Sequence, residues 1–389
     1  MSVTGPPGFV ASAAAGGIKA GGELDLALVA TEDARAVPAA AVFTSNQVQA
    51  APVQVSRAHL ARSGGHAAAV LLTSGNANAA TGDDGRRAAA ALCAGVAEGV
   101  GCRPDEVLLC QTGLIGIPFP TEVALGGLTP LCAELDPGAG GAARAARAIM
   151  TTDTEPKVAL VRRHGFSVGG MAKGAAMLAP DMATMLAVLT TDAHAEPAAL
   201  HTALRQAVAD TFNTMSVDEC TSTNDTVVVL ASGRAGPVAA GVLTEALREA
   251  CGILAEAMVA DAEGATKVAR IRVQGARDDH DAHRAARRVA ASLLVKCSLN
   301  GADPYWGRVV SELGASGAVI DPDRISVSYG AVEVCRYGVG VAHDEAAVAA
   351  HMRGDRVRIT CDLGLGAGQG EVLTTDLGYG YIDENRGTS

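Results

Sequence analysis

The stretch Lys173-Gly-Ala-Ala-Met-Leu-Ala-Pro-Asp-Met-Ala-Thr184-Met-Leu-Ala-Val-Leu-Thr-Thr-Asp192 holds an ammonium and a Gly- and Pro-containing approach to small Ala183, then the hydroxyl of Thr184 and an apolar run. Read from the residues alone, it is a loop entering a buried strand or helix, with Asp181 as a cap and Thr184 as an ordinary core hydroxyl. None of the nine His residues lies in it, and His164 and His194 flank it without a triad-like setting. Lys173 reads as a solvated side chain where the loop begins. Elsewhere, Thr112-Gly113 reads as a strand exit with a flexible turn, and the tail Tyr381 to Ser389 as a frayed terminus. The nine Cys residues form no CxxC pair and no Cys/His set with zinc spacing, so no metal site is expected and each thiol reads as a small buried hydrophobe. Gly364-Leu-Gly-Ala-Gly-Gln-Gly370 lacks the Lys-Ser/Thr ending of a P-loop and reads as a tight turn.

The elements that must position these groups are mixed. Ala68–Thr73, Glu106–Cys110, Thr226–Ala231, Arg270–Val273 and Arg356–Cys361 read as strands. Arg86–Val100, Ala142–Met150, Glu196–Phe212, Thr244–Glu263 and Asp281–Val295 read as helices, with apolar residues spaced near 3.6. Aromatic residues are only 3% of the chain, so the core must be small and branched aliphatic side chains with backbones close together, which suits layered sheet and helix. The polar run Gly275 to His283 is the candidate boundary between a domain over 1–275 and a smaller one over 276–389. The net charge of −11 is spread along the chain, which disfavours nucleic acid. No apolar run reaches membrane-helix length, and Met1 to Pro7 lacks the order of a secretory signal. With an odd, scattered Cys count, a cytoplasmic protein is expected.

The order and spelling of several motifs resemble the ornithine acetyltransferase family of arginine biosynthesis. Lys173-Gly174, Ala179-Pro180, Met182-Ala-Thr-Met-Leu186 and Thr190-Thr-Asp-Ala193 reproduce its hallmark. The likeness extends through Ser74-Gly-Asn-Ala-Asn78 with Thr81-Gly82, Thr112-Gly-Leu-Ile-Gly116, Ala148-Ile-Met-Thr-Thr-Asp153, Ser222-Thr-Asn-Asp-Thr226, Glu263-Gly-Ala-Thr-Lys267 and Trp306-Gly-Arg308.

The resemblance implies an α/β layered sandwich of the ornithine acetyltransferase and DmpA type, similar to N-terminal-nucleophile hydrolases with different connectivity, plus a smaller C-terminal α+β unit. It implies that Thr184 attacks the Ala183 carbonyl and cuts the chain into 1–183 and 184–389. The freed α-amine, with an ordinary pKa of about 7.7 to 8.0, then serves as the base for its own hydroxyl. Acetyl would pass from N-acetylornithine to Thr184 and on to glutamate, with acetyl-CoA as a further donor in some members. The oxyanion falls to the Thr112 hydroxyl and Gly113 N–H, and substrate binding to Thr152, Lys173, Thr184, Glu263, Asn385 and Ser389, with Thr388 competing for the last role. Lys173 would also lower the amine pKa by like-charge repulsion. The resemblance implies no cofactor and an α2β2 assembly of the two fragments.

Three places depart from the family pattern. Ala176 stands where Gly is common, Tyr305 where Asn usually precedes Trp306, and Glu219-Cys220 where Gly or a second Asp is frequent. They leave open a paralogue with another amino-acid donor or acceptor. A self-processing aminopeptidase and an uncleaved metabolite-binding protein are the further alternatives.

Overall fold

The computed structural model describes residues 2–163, 165–178 and 185–387. The chain forms two compact units, one of Met1–Asn213 with Cys220–Met258, the other of Thr214–Glu219 with Val259–Ser389.

The first unit is built on two sheets. Strands β1 (Phe9–Ala14), β2 (Leu26–Thr31), β3 (Val37–Phe43), β4 (His66–Ala67), β5 (Ala69–Asn76), β6 (Val107–Leu114), β7 (Lys157–Arg163), β8 (Phe166–Lys173) and β9 (Leu186–His194) precede β10 (Met215–Ser216), which belongs to the second unit, and β11 (Thr226–Pro237). One sheet has the order β1-β2-β5-β6, the other β4-β3-β11-β9-β8-β7. Period-two alternation divides each strand between two cores. Val70, Leu72, Leu108 and Cys110 face Met171, Val188, Val228 and Leu230 between the sheets. Ala69, Leu71, Val107 and Leu109 face the opposite way, onto α1 (Ala51–Arg62) and α2 (Gly82–Val100), with α3 (Thr121–Gly126) and α4 (Leu128–Ala133) alongside. Because both faces of the sheet are covered, its strands read as continuous apolar runs. Helix α5 (Ala139–Ala148) packs on β1 and β2, and α6 (Pro197–Ala209) on β3. Leu254 of α7 (Ala240–Ala260) lies over Gly170 of β8. The result is a helix, sheet, sheet, helix sandwich, the layered α/β class expected.

The second unit has one sheet, β10-β17-β12-β16-β13-β14-β15, with β12 (Val268–Ala276), β13 (Ser326–Tyr329), β14 (Val332–Arg336), β15 (Val339–Gly340), β16 (Arg356–Asp362) and β17 (Gly368–Thr375). Helices α8 (Asp279–Ala291), α9 (Leu293–Asn300), α10 (Trp306–Gly314), α11 (Glu345–Arg353) and α12 (Tyr379–Glu384) complete it. Ile271 and Val273 pack on Ala282, Ala286 and Val289 of α8.

The division differs from the boundary expected after residue 275. Strand β12 lies between β17 and β16, inside the second unit's sheet. The polar run after it is a strand-to-helix link, and its polarity is explained by capping: Asp278 Oδ1 accepts the Asp281 N–H at 2.9 Å and starts α8. The helix expected over Asp281–Val295 is two helices, because Ser292 leaves the helical region and caps α9. The glycine run at 364–370 turns once and enters β17 at Gly368. Among the described residues no helix is long and apolar enough to cross a membrane.

Candidate active site

Strands β8 and β9 are antiparallel neighbours whose last pair, Lys173 with Leu186, closes the base of the connection over 174–185. On its other side, Leu186 pairs with Thr226 of β11. Thr184 and Ala183 lie in this connection and outside the described residues; Ser389 and Thr388, at the other end of the chain, also fall outside them.

At the base of the connection sits Asp153, 7% exposed. Its carboxylate accepts Lys157 Nζ at 2.6 Å, the Gly174 N–H at 2.7 Å and the Thr151 N–H at 3.0 Å, with Lys173 Nζ at 3.5 Å. Burial raises the Asp153 carboxyl, but the Lys173 and Lys157 ammoniums overcome that and hold it well below the usual range. Lys173 is buried as well, and Nζ donates to Thr151 Oγ1 at 2.7 Å, so it is a fixed cation and not a solvated one. Thr152 is half-buried between these anchors. A third ammonium, Lys19, donates to the Met150 carbonyl at 2.7 Å, and its own N–H is held by Asp25. Burial lowers the Lys19 pKa; Glu23 and Asp25 oppose this, and the Lys173 charge adds to it. Lys19 sits among glycines with no motif around it, and the sequence offered no signal for it.

Thr112 and Gly113 do not leave the sheet: β6 runs through Leu114, and they pair in parallel with Ser74 and Gly75 of β5. Gly113 has φ +127, and a Cβ there would stand 2.3 Å from the Gly75 carbonyl carbon, so only glycine fits. The Thr112 residue is 2% exposed. Buried amides build the ground beneath this pair. Asn78 donates to Gln111 Oε1 at 2.9 Å, Gln111 donates to the Thr73 hydroxyl at 3.1 Å, and Asn78 Oδ1 takes the Thr81 hydroxyl at 2.7 Å.

The Ser222 to Thr226 motif approaches from β11. Asn224 donates to the carbonyls of Ala77 at 2.6 Å and Gln111 at 2.9 Å. Asp225 Oδ1 accepts the Met185 N–H at 2.9 Å, and the Met185 carbonyl accepts the Thr226 N–H at 3.1 Å. Burial raises the Asp225 carboxyl well above its usual range, against the opposing pull of the Met185 N–H, the Ser222 hydroxyl and Lys173. Its Oδ2 is buried with no hydrogen-bond partner among the described residues. Cys110, on the same strand as Thr112, has its thiol pushed up to about 12 by burial and is no nucleophile.

The second unit carries Glu263 and Asn385. The Asn385 side-chain amide donates to Glu263 Oε2 at 2.7 Å and to the Tyr381 carbonyl at 2.8 Å. Gly264, at φ +64, lies so close to the start of α12 that a Cβ would meet the Tyr381 nitrogen at 2.1 Å. Asp376 fixes the rest of the Glu263 loop by accepting the Thr266 hydroxyl at 2.6 Å and the N–H groups of Thr266 and Lys267 at 2.8 and 2.9 Å.

The three departures from the family pattern sit in different surroundings. Met177, not Ala176, takes the left-handed conformation, with φ 52, so the alanine adds no backbone strain. Glu219 adopts φ 59, which is where a glycine would be at ease. Tyr305 is 59% exposed, with the Arg308 guanidinium 5.9 Å from its ring centre.

A sequence model of the ArgJ family matches residues 10–387. The arginine biosynthesis bifunctional protein ArgJ of Mycobacterium bovis is 47% identical, over 99% of this chain and 96% of its own length. That of Thermobifida fusca is 45% identical over 99% of both. Among solved structures, ornithine acetyltransferase from Mycobacterium tuberculosis, complexed with ornithine, is similar at 44% identity over 46% of this chain and 94% of that chain, with a TM-score of 0.44. With a family match that runs nearly from end to end and full-length relatives at this identity, the chain belongs to the ArgJ family.

Proposed function

We propose that this protein is a self-processing acetyltransferase of arginine biosynthesis that carries acetyl from N2-acetyl-L-ornithine to L-glutamate on Thr184. The observation that supports it most is the Lys173–Asp153–Lys157 cluster at the base of the connection bearing Thr184. Lys173, buried and held there by Asp153 and the Thr151 hydroxyl, offers a fixed cation for the α-carboxylate of an amino acid.

In the first step the Thr184 hydroxyl attacks the Ala183 carbonyl, the acyl group moves to oxygen, and water hydrolyses the ester. This frees the Thr184 amine and the Ala183 carboxylate. The amine then takes the hydroxyl proton as Thr184 attacks the acetyl carbonyl of N-acetylornithine. The Thr112 hydroxyl and Gly113 N–H stabilise the oxyanion, and ornithine leaves with the proton. The glutamate amine attacks the acetyl ester by the same route in reverse. Thr152 and Lys173 bind the substrate backbone. Glu263 takes the ornithine ammonium, and Asn385 and the terminal Ser389 or Thr388 complete that end. The relatives are named bifunctional, and we extend the same to acetyl-CoA as a second donor to glutamate. The fragments remain paired as α2β2 in the cytoplasm.

Denatured intact mass tests the reading. Wild type gives two pieces, 1–183 and 184–389, while Thr184→Ala stays whole. N-acetylornithine without glutamate adds one acetyl group to the 184–389 piece. An uncut wild-type chain, or a cut chain that never carries acetyl, overturns it. Release of CoA from acetyl-CoA in the presence of glutamate checks the second donor.

A further inference from the structure

Two adjacent residues reach the chain neighbours of both reacting groups. Asn224 donates to the carbonyl of Gln111, the residue before Thr112, and Asp225 accepts from the N–H of Met185, the residue after Thr184. Neither arm has slack. Asn224 Oδ1 takes the Thr223 hydroxyl at 2.6 Å, its own N–H is bonded to Ser222 Oγ at 3.0 Å, and the Ser222 carbonyl takes the Thr44 hydroxyl at 2.6 Å. Those bonds fix the orientation of the amide, since a flipped amide would set its oxygen against two carbonyls. Met185 is gripped at both ends, by Asp225 at its N–H and by Thr226 at its carbonyl.

We propose that Asn224 and Asp225 are positioning residues that fix the separation between the Thr112–Gly113 oxyanion donors and the Thr184 nucleophile. The proposal rests on the acyl-transfer reading. The bridge adds hydrogen bonds to the packing that relates β6 to β9, and catalytic geometry is less tolerant than packing: a displacement of about 1 Å costs on the order of 100-fold in rate. The bridge explains why a double donor at 224 is followed by an acceptor at 225. Two neighbouring carbonyls require a double donor, whereas the Met185 N–H requires an acceptor.

The test compares wild type with Asn224→Asp, Asn224→Ala, Asp225→Ala and Asp225→Asn, all as full chains. The half-time of self-cleavage is followed by intact mass, and kcat and KM for transfer to glutamate are measured on the cut protein. Wild type comes first. If it is neither cut nor active, the acyl-transfer reading falls and this proposal with it; if it is cut and active, the variants test positioning alone. Expected are cleavage and kcat slowed about 100-fold in Asn224→Asp and Asp225→Ala, with KM changed by less than about threefold. Asp225→Asn, whose amide oxygen still accepts from Met185, stays within about fivefold of wild type. Wild-type cleavage and kcat in the two impaired variants, or a loss confined to KM, overturns the proposal. If the alanine variants do not fold, the two shape-preserving changes decide: Asn224→Asp must fall well below Asp225→Asn, and equal rates overturn it.

Discussion

The side-chain amide of Asn385 donates to Glu263 at 2.7 Å while also holding the Tyr381 carbonyl at the end of α12. One amide therefore both ends the last helix and aims a carboxylate more than a hundred residues earlier in the chain. Its grip acts on a loop that is already pinned after Glu263, by the Gly264 contact with α12 and by Asp376 at Thr266 and Lys267.

Glu263→Gln keeps the shape and the Asn385 contact but removes the charge offered to an ornithine ammonium. A hydrogen bond to a charged group is worth about 1.5–3 kcal/mol, so KM for N-acetylornithine should rise about 10- to 100-fold. Self-cleavage, read by intact mass, should be unchanged, because no ornithine takes part in it. Slowed cleavage would show that Glu263 serves the nucleophile and not the substrate.

At Gly113 a methyl group has nowhere to go. Gly113→Ala should lower the melting temperature and stall both self-cleavage and transfer, since β5 and β6 must separate to admit it. Thr112→Val is close to isosteric and should fold normally while losing about 100-fold or more in kcat, the cost of one oxyanion donor. Equal kcat in Thr112→Val and wild type would remove the hydroxyl from the mechanism.

Asp153→Asn removes the carboxylate that two buried ammoniums share, which should cost about 3–5 kcal/mol of stability. Because the folded carboxyl is held below its unfolded value of about 3.9, its stabilisation is in place above that pH and is lost as the pH falls below it. The gap in urea midpoint between wild type and variant should therefore be level from neutral pH down to about pH 5 and narrow under stronger acid. A gap that widens in acid would contradict the assignment.

Lys296 gives a pH signature of the same sign at the alkaline end. It is buried in the second unit, where Nζ donates to the Thr374 hydroxyl at 2.6 Å and the Thr375 carbonyl at 3.0 Å. Burial lowers its pKa to about 8, against the opposing pull of Asp218, Asp376 and Glu219. Between about pH 8 and 10.4 the unfolded chain binds the proton more tightly, so this lysine's contribution grows with pH. Wild type should gain stability relative to Lys296→Met across that window, and parallel denaturation midpoints would refute it.

Strands rich in Val, Leu and Ile, such as β11 and β16, were legible as strands from their residues. Strands β1 (Phe-Val-Ala-Ser-Ala-Ala) and β8 (Phe-Ser-Val-Gly-Gly-Met-Ala-Lys) were not, because Ala, Ser and Gly carry little strand preference and become strands by pairing with neighbours. The site divides in a similar way. Thr112, Lys173 and Glu263 entered through resemblance to a family, and their residue types alone suggested a turn, a solvated cation and nothing further. Lys19, Asp153, Asn224 and Asp225 have roles set by partners tens to over a hundred residues away, and such partners leave no local pattern.

The pairing of β8 with β9 gives the proposed cut a consequence for the protein's lifetime. In the uncut chain these strands meet by closing a short loop, at an entropy that changes slowly with loop length. After the break before Thr184, they belong to separate polypeptides within one sheet, and the same pairing becomes a second-order encounter that dilution disfavours. Maturation would thus make folding a one-time event. From then on, the enzyme's persistence is governed by the height of its unfolding barrier, and denatured mature protein should recover in proportion to its concentration while denatured Thr184→Ala recovers independently of it.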